Sequence, residues 1–335
     1  LIVFRFLLGI GIGADYPISA TLVAEFSSTK NRGRQGTFLA MMWFVGAVTA
    51  YISGVLLLPL GETAWRWMFL LGALFALIIF IFRIGLPESP RWLASHGRQE
   101  EAQQIIYDLT GNRVEIKPEP QRKVKISYLF SPKLRRRTIF VTGFWFCYAT
   151  AYYGISMYTP TILSAFTEGS QQATYIASSI VSIIGLVGAF IGMNLVENWG
   201  RRPLLITSFA GLTTALVILT INSHPTLTFL VILFSIAVLF SNMGGGILNF
   251  VYPTELFPTN IRAGASGFAT SISRIGSILG VLVFPNLVAA WGNSAALGFF
   301  AFIGFSGLMI TIILAPETKG QRLEDINDES FVEGK

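Results

Sequence analysis

"EFSSTKNRGRQG" occupies residues 25–36, and "ELFPTNIRAGASG" occupies residues 255–267. In both, a glutamate precedes an arginine by seven residues, Glu25 with Arg32 and Glu255 with Arg262. Each follows a long apolar run, and two apolar runs later each is followed by a Pro-Glu pair, "PES" from Pro87 and "PET" from Pro316. Glu25 to Glu88 is 63 residues (88 − 25), and Glu255 to Glu317 is 62 (317 − 255). A recurrence of that length, marked by the same charged and turn-forming residues, reads as two parallel copies of one structural unit.

Working outward from the repeat, the chain between its markers is apolar in blocks. A membrane-crossing helix needs roughly 20 mainly apolar residues. Nine such runs occur, at about 1–24, 38–60, 67–86, 138–166, 173–195, 204–222, 228–252, 263–290 and 294–315. Composition agrees: 53% of residues are hydrophobic and only 13% charged, and a mean hydropathy of +0.61 lies outside the range of soluble domains. The runs are continuous and not alternating, so they read as helices, which satisfy their own backbone hydrogen bonds in lipid. The predicted fold is an all-α membrane protein, a helical bundle.

The two copies are unequal. Glu255 stands 117 residues after Thr138 (255 − 138), where its copy opens, whereas 24 residues precede Glu25. The first copy is shorter by 93 residues (117 − 24), enough for three helices. The expectation is therefore nine transmembrane helices of twelve, with the first three missing from the N-terminus. The division expected is a partial transmembrane half at 1–86, a cytoplasmic loop between halves at 87–137, a complete six-helix half at 138–315, and a cytoplasmic tail at 316–335.

Lys and Arg take sides. Lys30, Arg32 and Arg34 follow the first run, eleven more lie in 87–137, and Arg201, Arg202, Arg262, Lys319, Arg322 and Lys335 follow later runs. The opposite loops contain only Arg66. By the positive-inside rule the charged loops are cytoplasmic, so the chain begins outside, ends inside and belongs in the plasma (inner) membrane as a multi-pass protein. Topology thus explains the basic balance, and no nucleic-acid partner is called for. The single Cys147 lies within a run, and His96 and His224 are isolated, so neither a disulfide framework nor a metal site is expected. No phosphate-binding loop, paired carboxylates or nucleophile–base set appears, which argues against an enzyme, ATP drive or any cofactor. Residues 95–112 read as an amphipathic helix closing at Gly111, a linker between the halves.

Several motifs carry a family resemblance over the whole chain: "RFLLGIGIG" from Arg5, "NRGR" from Asn31, "PESPRWL" from Pro87, "GMNLVENWGRRPLL" from Gly192, "YPTELFPTNIRAG" from Tyr252 and "PETKG" from Pro316. Together they resemble the major facilitator superfamily, in the region of its sugar-porter and phosphate:proton-symporter branches. The resemblance implies a secondary transporter working by alternating access. Sugar porters carry a Gln-Gln pair where this chain has "CYATA" and a Pro-x-x-Trp where it has "GGGILNF". "GADYPISATLVAEF" instead resembles the phosphate-branch signature, with Asp15 and Tyr16 matching. "WFCYATAYY" matches that branch at Trp145 and Tyr153, but Ala149 replaces its aspartate, and Arg274 stands where it has a lysine. An anionic metabolite, phosphate or organic carboxylate, is the implied substrate, with a sugar or polyol as the alternative and a non-transporting remnant or interaction protein as the reading of another class.

The same residues can be weighed physically. Asp15 is ten residues from Glu25, about 15 Å along a helix, and Arg274 is twelve from Arg262, about 18 Å, so both sit near the bilayer midplane. Charges at that depth face a bundle interior or a wet cavity. Arginine keeps its charge and its planar fork suits a carboxylate or phosphate, so Arg274 is the expected anion anchor. An aspartate in such a place can take up and release a proton, so Asp15 is the expected coupling residue. Arg5, which the family pairs with an acidic residue on the missing first helix, is assigned to coupling and gating. Tyr16, Trp145, Tyr148, Tyr152 and Tyr153 complete the expected substrate site. Gly9, Gly11 and Gly13 are expected to permit close helix approach, and Gly244, Gly245 and Gly246 to unwind a helix beside the substrate. Glu25, Arg32, Glu197, Arg201, Arg202, Glu255 and Arg262 are expected to form cytoplasmic clusters that latch conformational states.

Overall fold

Apolar runs in this chain become helices that extend beyond the runs themselves, because helical hydrogen bonding continues through charged residues that lipid thickness excludes. A computed structural model describes residues 1–26, 32–95, 97–110, 126–164, 167, 170–222 and 226–321. Its helices are α1 (Ile2–Phe26), α2 (Arg32–Leu57), α3 (Ala64–Arg83), α4 (Pro90–Ser95), α5 (Gln99–Thr110), α6 (Arg135–Ser164), α7 (Gln171–Trp199), α8 (Arg201–Ile221), α9 (Leu227–Met243), α10 (Gly245–Leu256) and α11 (Thr259–Leu314). Thus α6 begins at Arg135 and not at 138, and α7 runs on through Glu197. The long loop at 87–137 is partly helical, holding α4 and α5 on a small core of Leu93, Ala94 and Ala102. The predicted close of that helix at Gly111, and His96 and His224, lie outside the described residues.

Among the described residues, five stretches are long and apolar enough to cross a membrane. Two of them, Arg34–Arg83 at 50 residues and Ile261–Leu314 at 54, exceed twice the required length. Each is interrupted by a glycine with positive φ, Gly61 at 59° and Gly292 at 81°, a conformation that only glycine adopts without strain. The α11 arms double back at Gly292. Gly276 before it lies against Phe146 of α6, and Ile310 after it lies against Gly143, one turn away on the same helix. The second arm then runs along α8, where Gly304 and Gly307 meet Thr213 and Phe209.

Close packing rests on small residues. On α7, a Cβ at Gly188 would lie 2.3 Å from the Leu239 carbonyl oxygen, and one at Gly192 1.9 Å from that of Met243. On α11, a Cβ at Gly280 would lie 2.2 Å from the Thr150 carbonyl oxygen. These contacts press α7 on α9 and α11 on α6, and they fix the core, which is drawn mainly from α6 to α11. From α2 it takes Ala40 and Phe44, and none of the described side chains of α1 belongs to it. The Gly9-Gly11-Gly13 expectation is corrected here: a Cβ at any of the three meets nothing within 4 Å, because no described helix packs against that face of α1.

Candidate functional site

A cavity of about 470 Å³ opens between α2, α6, α7 and α9. Trp43 and Tyr51 line it from α2, Tyr152, Tyr153 and Ser156 from α6, Ser178 and Ser182 from α7, and Asn242 from α9. The aromatic side chains interlock. Trp43 meets Tyr153 edge-on at 6.5 Å between centroids, Tyr153 meets Tyr152 edge-on at 5.4 Å, and Tyr152 stacks on Tyr148 at 5.3 Å. Spacing of four residues on α6 puts Tyr148 one turn below Tyr152, as support for the wall. Trp145, a further turn behind, is buried in the core and is not on the cavity wall.

Arg274 reaches this wall from α11. Its Nη1 donates to the Tyr153 hydroxyl at 3.0 Å, and its guanidinium lies 5.8 Å from the centre of the same ring. The contact joins hydrogen bonding to cation–π attraction, so Tyr153 both orients the cation and carries its field to the cavity. Gly276 and Gly280, pressed against Phe146 and Thr150, set the depth of Arg274 on α11.

Asp15 lies elsewhere. It forms an ion pair with Arg83 at the end of α3 and accepts from Ser19 Oγ at 3.1 Å, while Arg83 Nη2 donates to the same Ser19 oxygen at 2.6 Å. The two charged side chains are 48% and 47% exposed. Asp15 therefore engages Arg83 and not Arg274. Arg5, near the other end of α1, places its guanidinium 5.6 Å over the Phe69 ring of α3. The side chains of Tyr16, Glu25 and Arg32 lie outside the described residues.

Helix α9 breaks at Gly244, where backbone angles of −125° and −65° leave the helical region, and α10 resumes at Gly245. The free amide of Gly245 is met by Ser208 Oγ at 3.0 Å. A Cβ at Gly245 would strike the Tyr148 ring at 2.6 Å, and one at Gly246 would strike Phe44 at 2.8 Å. The triplet thus lets the broken helix close on the aromatic wall, next to Asn242.

The far end of the bundle holds the charged residues. Arg201 donates to Glu197 at 2.8 Å and to Glu255 at 2.9 Å, with both Arg201 and Glu255 4% exposed. Glu255 also accepts from Thr318 Oγ1 at 2.5 Å. Glu317 accepts from the backbone amides of Arg201 and Arg202, each at 3.0 Å, an anion at a helix N-terminus. Arg202 donates to the Ile312 carbonyl and Arg262 to that of Phe257. The segment after α11 is thereby tied to the ends of α7, α8 and α10.

Sequence reasoning missed three features: Asn242, Trp43 and the Arg83 partner of Asp15. An amide in the middle of an apolar run beside a glycine triplet was the available signal for Asn242. No spacing rule links Arg83 to a residue 68 positions away.

The model of a family described as "Sugar (and other) transporter" matches residues 1–329. The chain belongs to that family. It is a secondary transporter of the major facilitator type, an integral multi-pass membrane protein and not an enzyme. The chain is 37% identical over 326 residues to the inner membrane metabolite transport protein YgcS of Escherichia coli, spanning 95% of this chain and 71% of that one. It is 30% identical over 378 residues to an Arabidopsis thaliana protein named "Probable inorganic phosphate transporter 1-6", spanning 98% and 72%. The solved structure of the proton:xylose symporter XylE bound to 6-bromo-6-deoxy-D-glucose shares the fold, with a TM-score of 0.81 and 23% identity over 99% of this chain and 74% of that one.

Proposed function

We propose that this transporter carries a small anion together with protons, by alternating access around the cavity between α2, α6, α7 and α9. The observation that supports this reading is Arg274, a permanent cation held by Tyr153 on the cavity wall. In this reading Arg274 binds substrate through Tyr153, Asp15 carries the proton, and the Arg201–Glu255–Glu197 cluster holds one state of the cycle closed. In this reading the chain crosses the membrane nine times, grouped as 1–86 and 138–315 about the loop at 87–137, with the tail from 316 in the cytoplasm.

The test is uptake into proteoliposomes of labelled phosphate, benzoate, a dicarboxylate and a hexose, with the Arg274→Gln variant alongside. Loss of one charge-assisted hydrogen bond predicts a fall in anion affinity of at least tenfold, about 1.5–3 kcal/mol. Arg274→Lys retains part of it where a point charge suffices. Unchanged affinity in Arg274→Gln overturns the anchor. The second reading, a sugar or polyol porter, is favoured by the sugar-bound structure that shares the fold, and hexose uptake indifferent to Arg274→Gln would establish it.

A further inference from the structure

Two arginines from different helices meet the last turn of α11. Arg136, in the first turn of α6, donates through Nη2 to the Ile313 carbonyl at 3.1 Å, and Arg202, in the first turn of α8, donates through Nη2 to the Ile312 carbonyl at 2.9 Å. Successive residues have Cα atoms about 3.8 Å apart, so both guanidiniums are gathered at one helix end. A cation on the last carbonyls of a helix complements its dipole, which accounts for one bond each. A guanidinium has five N–H donors, and both of these side chains are exposed. Glu317, which follows α11, is taken up by the backbone amides of Arg201, Arg202, Thr318 and Lys319.

The face of α11 that leads away from these arginines is apolar and bare. Phe302 and Ile313 are each 65% exposed, with Phe305 and Ile312 exposed between them, while Gly304 and Gly307 turn the other side onto α8. From Phe302 to Ile313 is 11 residues (313 − 302), about 16 Å along the axis, which is half of a hydrocarbon core about 30 Å thick. On α6, Ile139 stands three residues from Arg136, on the same side of the helix, and is also exposed. Two cations thus top an apolar strip as long as one leaflet is deep.

We propose that this end of α11 binds one anionic phospholipid, with its phosphate between Arg136 and Arg202 and an acyl chain along Ile313, Ile312, Phe305 and Phe302. The planar forks of two arginines suit a phosphate, whose oxygens can bond both at once. A zwitterionic headgroup brings its own ammonium toward the two cations, and an anionic one does not. A soluble anion would use the arginines and ignore the strip. Bound there, the lipid ties α6 to α8 across α11. The site is separate from the cavity, and it holds whatever the transporter carries.

The experiment is native mass spectrometry of the purified full chain, titrated with phosphatidylglycerol or with phosphatidylcholine of the same acyl chains, and with inorganic phosphate as competitor. One phosphatidylglycerol per chain should be retained, at least about fivefold tighter than phosphatidylcholine, since each arginine near an anionic headgroup is worth roughly fivefold. Arg136→Gln with Arg202→Gln should lose about 25-fold of that affinity on the same scale. Arg135→Gln, which removes the exposed charge next in sequence, should lose far less. Equal affinity of the two lipids for the unaltered protein, where no variant has to fold, overturns the site. A preference that survives in the double variant also overturns it. A loss in Arg135→Gln as large as in the double variant means diffuse attraction and overturns the two-arginine assignment. Displacement of the lipid by inorganic phosphate overturns the role of the apolar strip.

Discussion

Two ion pairs in this molecule are built from the same chemistry and placed in opposite surroundings. Arg201 and Glu255 are each 4% exposed, and further bonds from Glu197 and Thr318 surround them. Arg83 and Asp15 are half-exposed, with Ser19 as their shared neighbour. The helices that carry them differ in the same way, since the core comes mainly from α6 to α11 and no described side chain of α1 belongs to it. A buried, multiply bonded pair cannot exchange partners without exposing a charge to a low dielectric. The Arg83–Asp15 pair has fewer bonds to give up, Ser19 being the neighbour it shares. The first is suited to holding a state and the second to changing one.

The largest expected effect comes from breaking the buried pair. Glu255→Leu leaves Arg201 desolvated and short of an anion, which predicts a loss of about 3–5 kcal/mol. Unfolding of the purified variant in detergent, followed by circular dichroism, measures it. Removing both charges in Arg201→Met with Glu255→Leu should restore much of the loss. Equal destabilisation by the double variant would mean that the pair itself, and not the uncompensated charge, stabilises the bundle.

Glycines sharpen the same contrast at a smaller scale. Gly188→Ala places a methyl group 2.3 Å from the Leu239 carbonyl oxygen, so α7 must retreat from α9. Overpacking of that kind costs about 1–3 kcal/mol. Gly11→Ala on α1 meets open space, and alanine favours the helix by up to about 1 kcal/mol. Opposite signs are expected in one melting series. A loss at Gly11 comparable to that at Gly188 would show that α1 is packed as tightly as α7.

How much of this was legible in the sequence follows from what lipid does to pattern. The apolar runs and the Glu-to-Arg repeat gave the helices, since run length answers to bilayer thickness and needs no knowledge of neighbours. Arg274, Tyr152 and Tyr153 stand out in the sequence because a charge or a cluster of aromatics inside such a run is unusual, and the structure brings the three together. Helix faces were not, because a helix apolar all round carries no stripe that says which side meets protein. For that reason Arg83 was passed over as the end of a run, and Asp15 was placed at the depth of Arg274 without its partner being named. Trp145 shows the same difficulty: helical spacing puts it in line with Tyr148 and Tyr152, and it is buried in the core.

The smallest effect on stability is expected where the effect on coupling is largest. Asp15→Asn and Arg83→Gln each remove one partner of a half-exposed pair that lies outside the described core, so little packing is lost with either. Thermal melting should therefore barely separate either variant from the parent. Transport should separate them sharply if Asp15 carries the proton. An asparagine side chain cannot titrate, so accumulation driven by an imposed pH gradient should vanish in Asp15→Asn, while exchange of labelled for unlabelled substrate continues. Arg83→Gln keeps the carboxyl group of Asp15, so accumulation should persist in that variant. Both assays are run on the same vesicles, so a failure of assembly shows as loss of exchange as well. If accumulation in Asp15→Asn still tracks the gradient, the proton travels on another group, and the open pair on α1 and α3 is a structural contact that happens to be exposed.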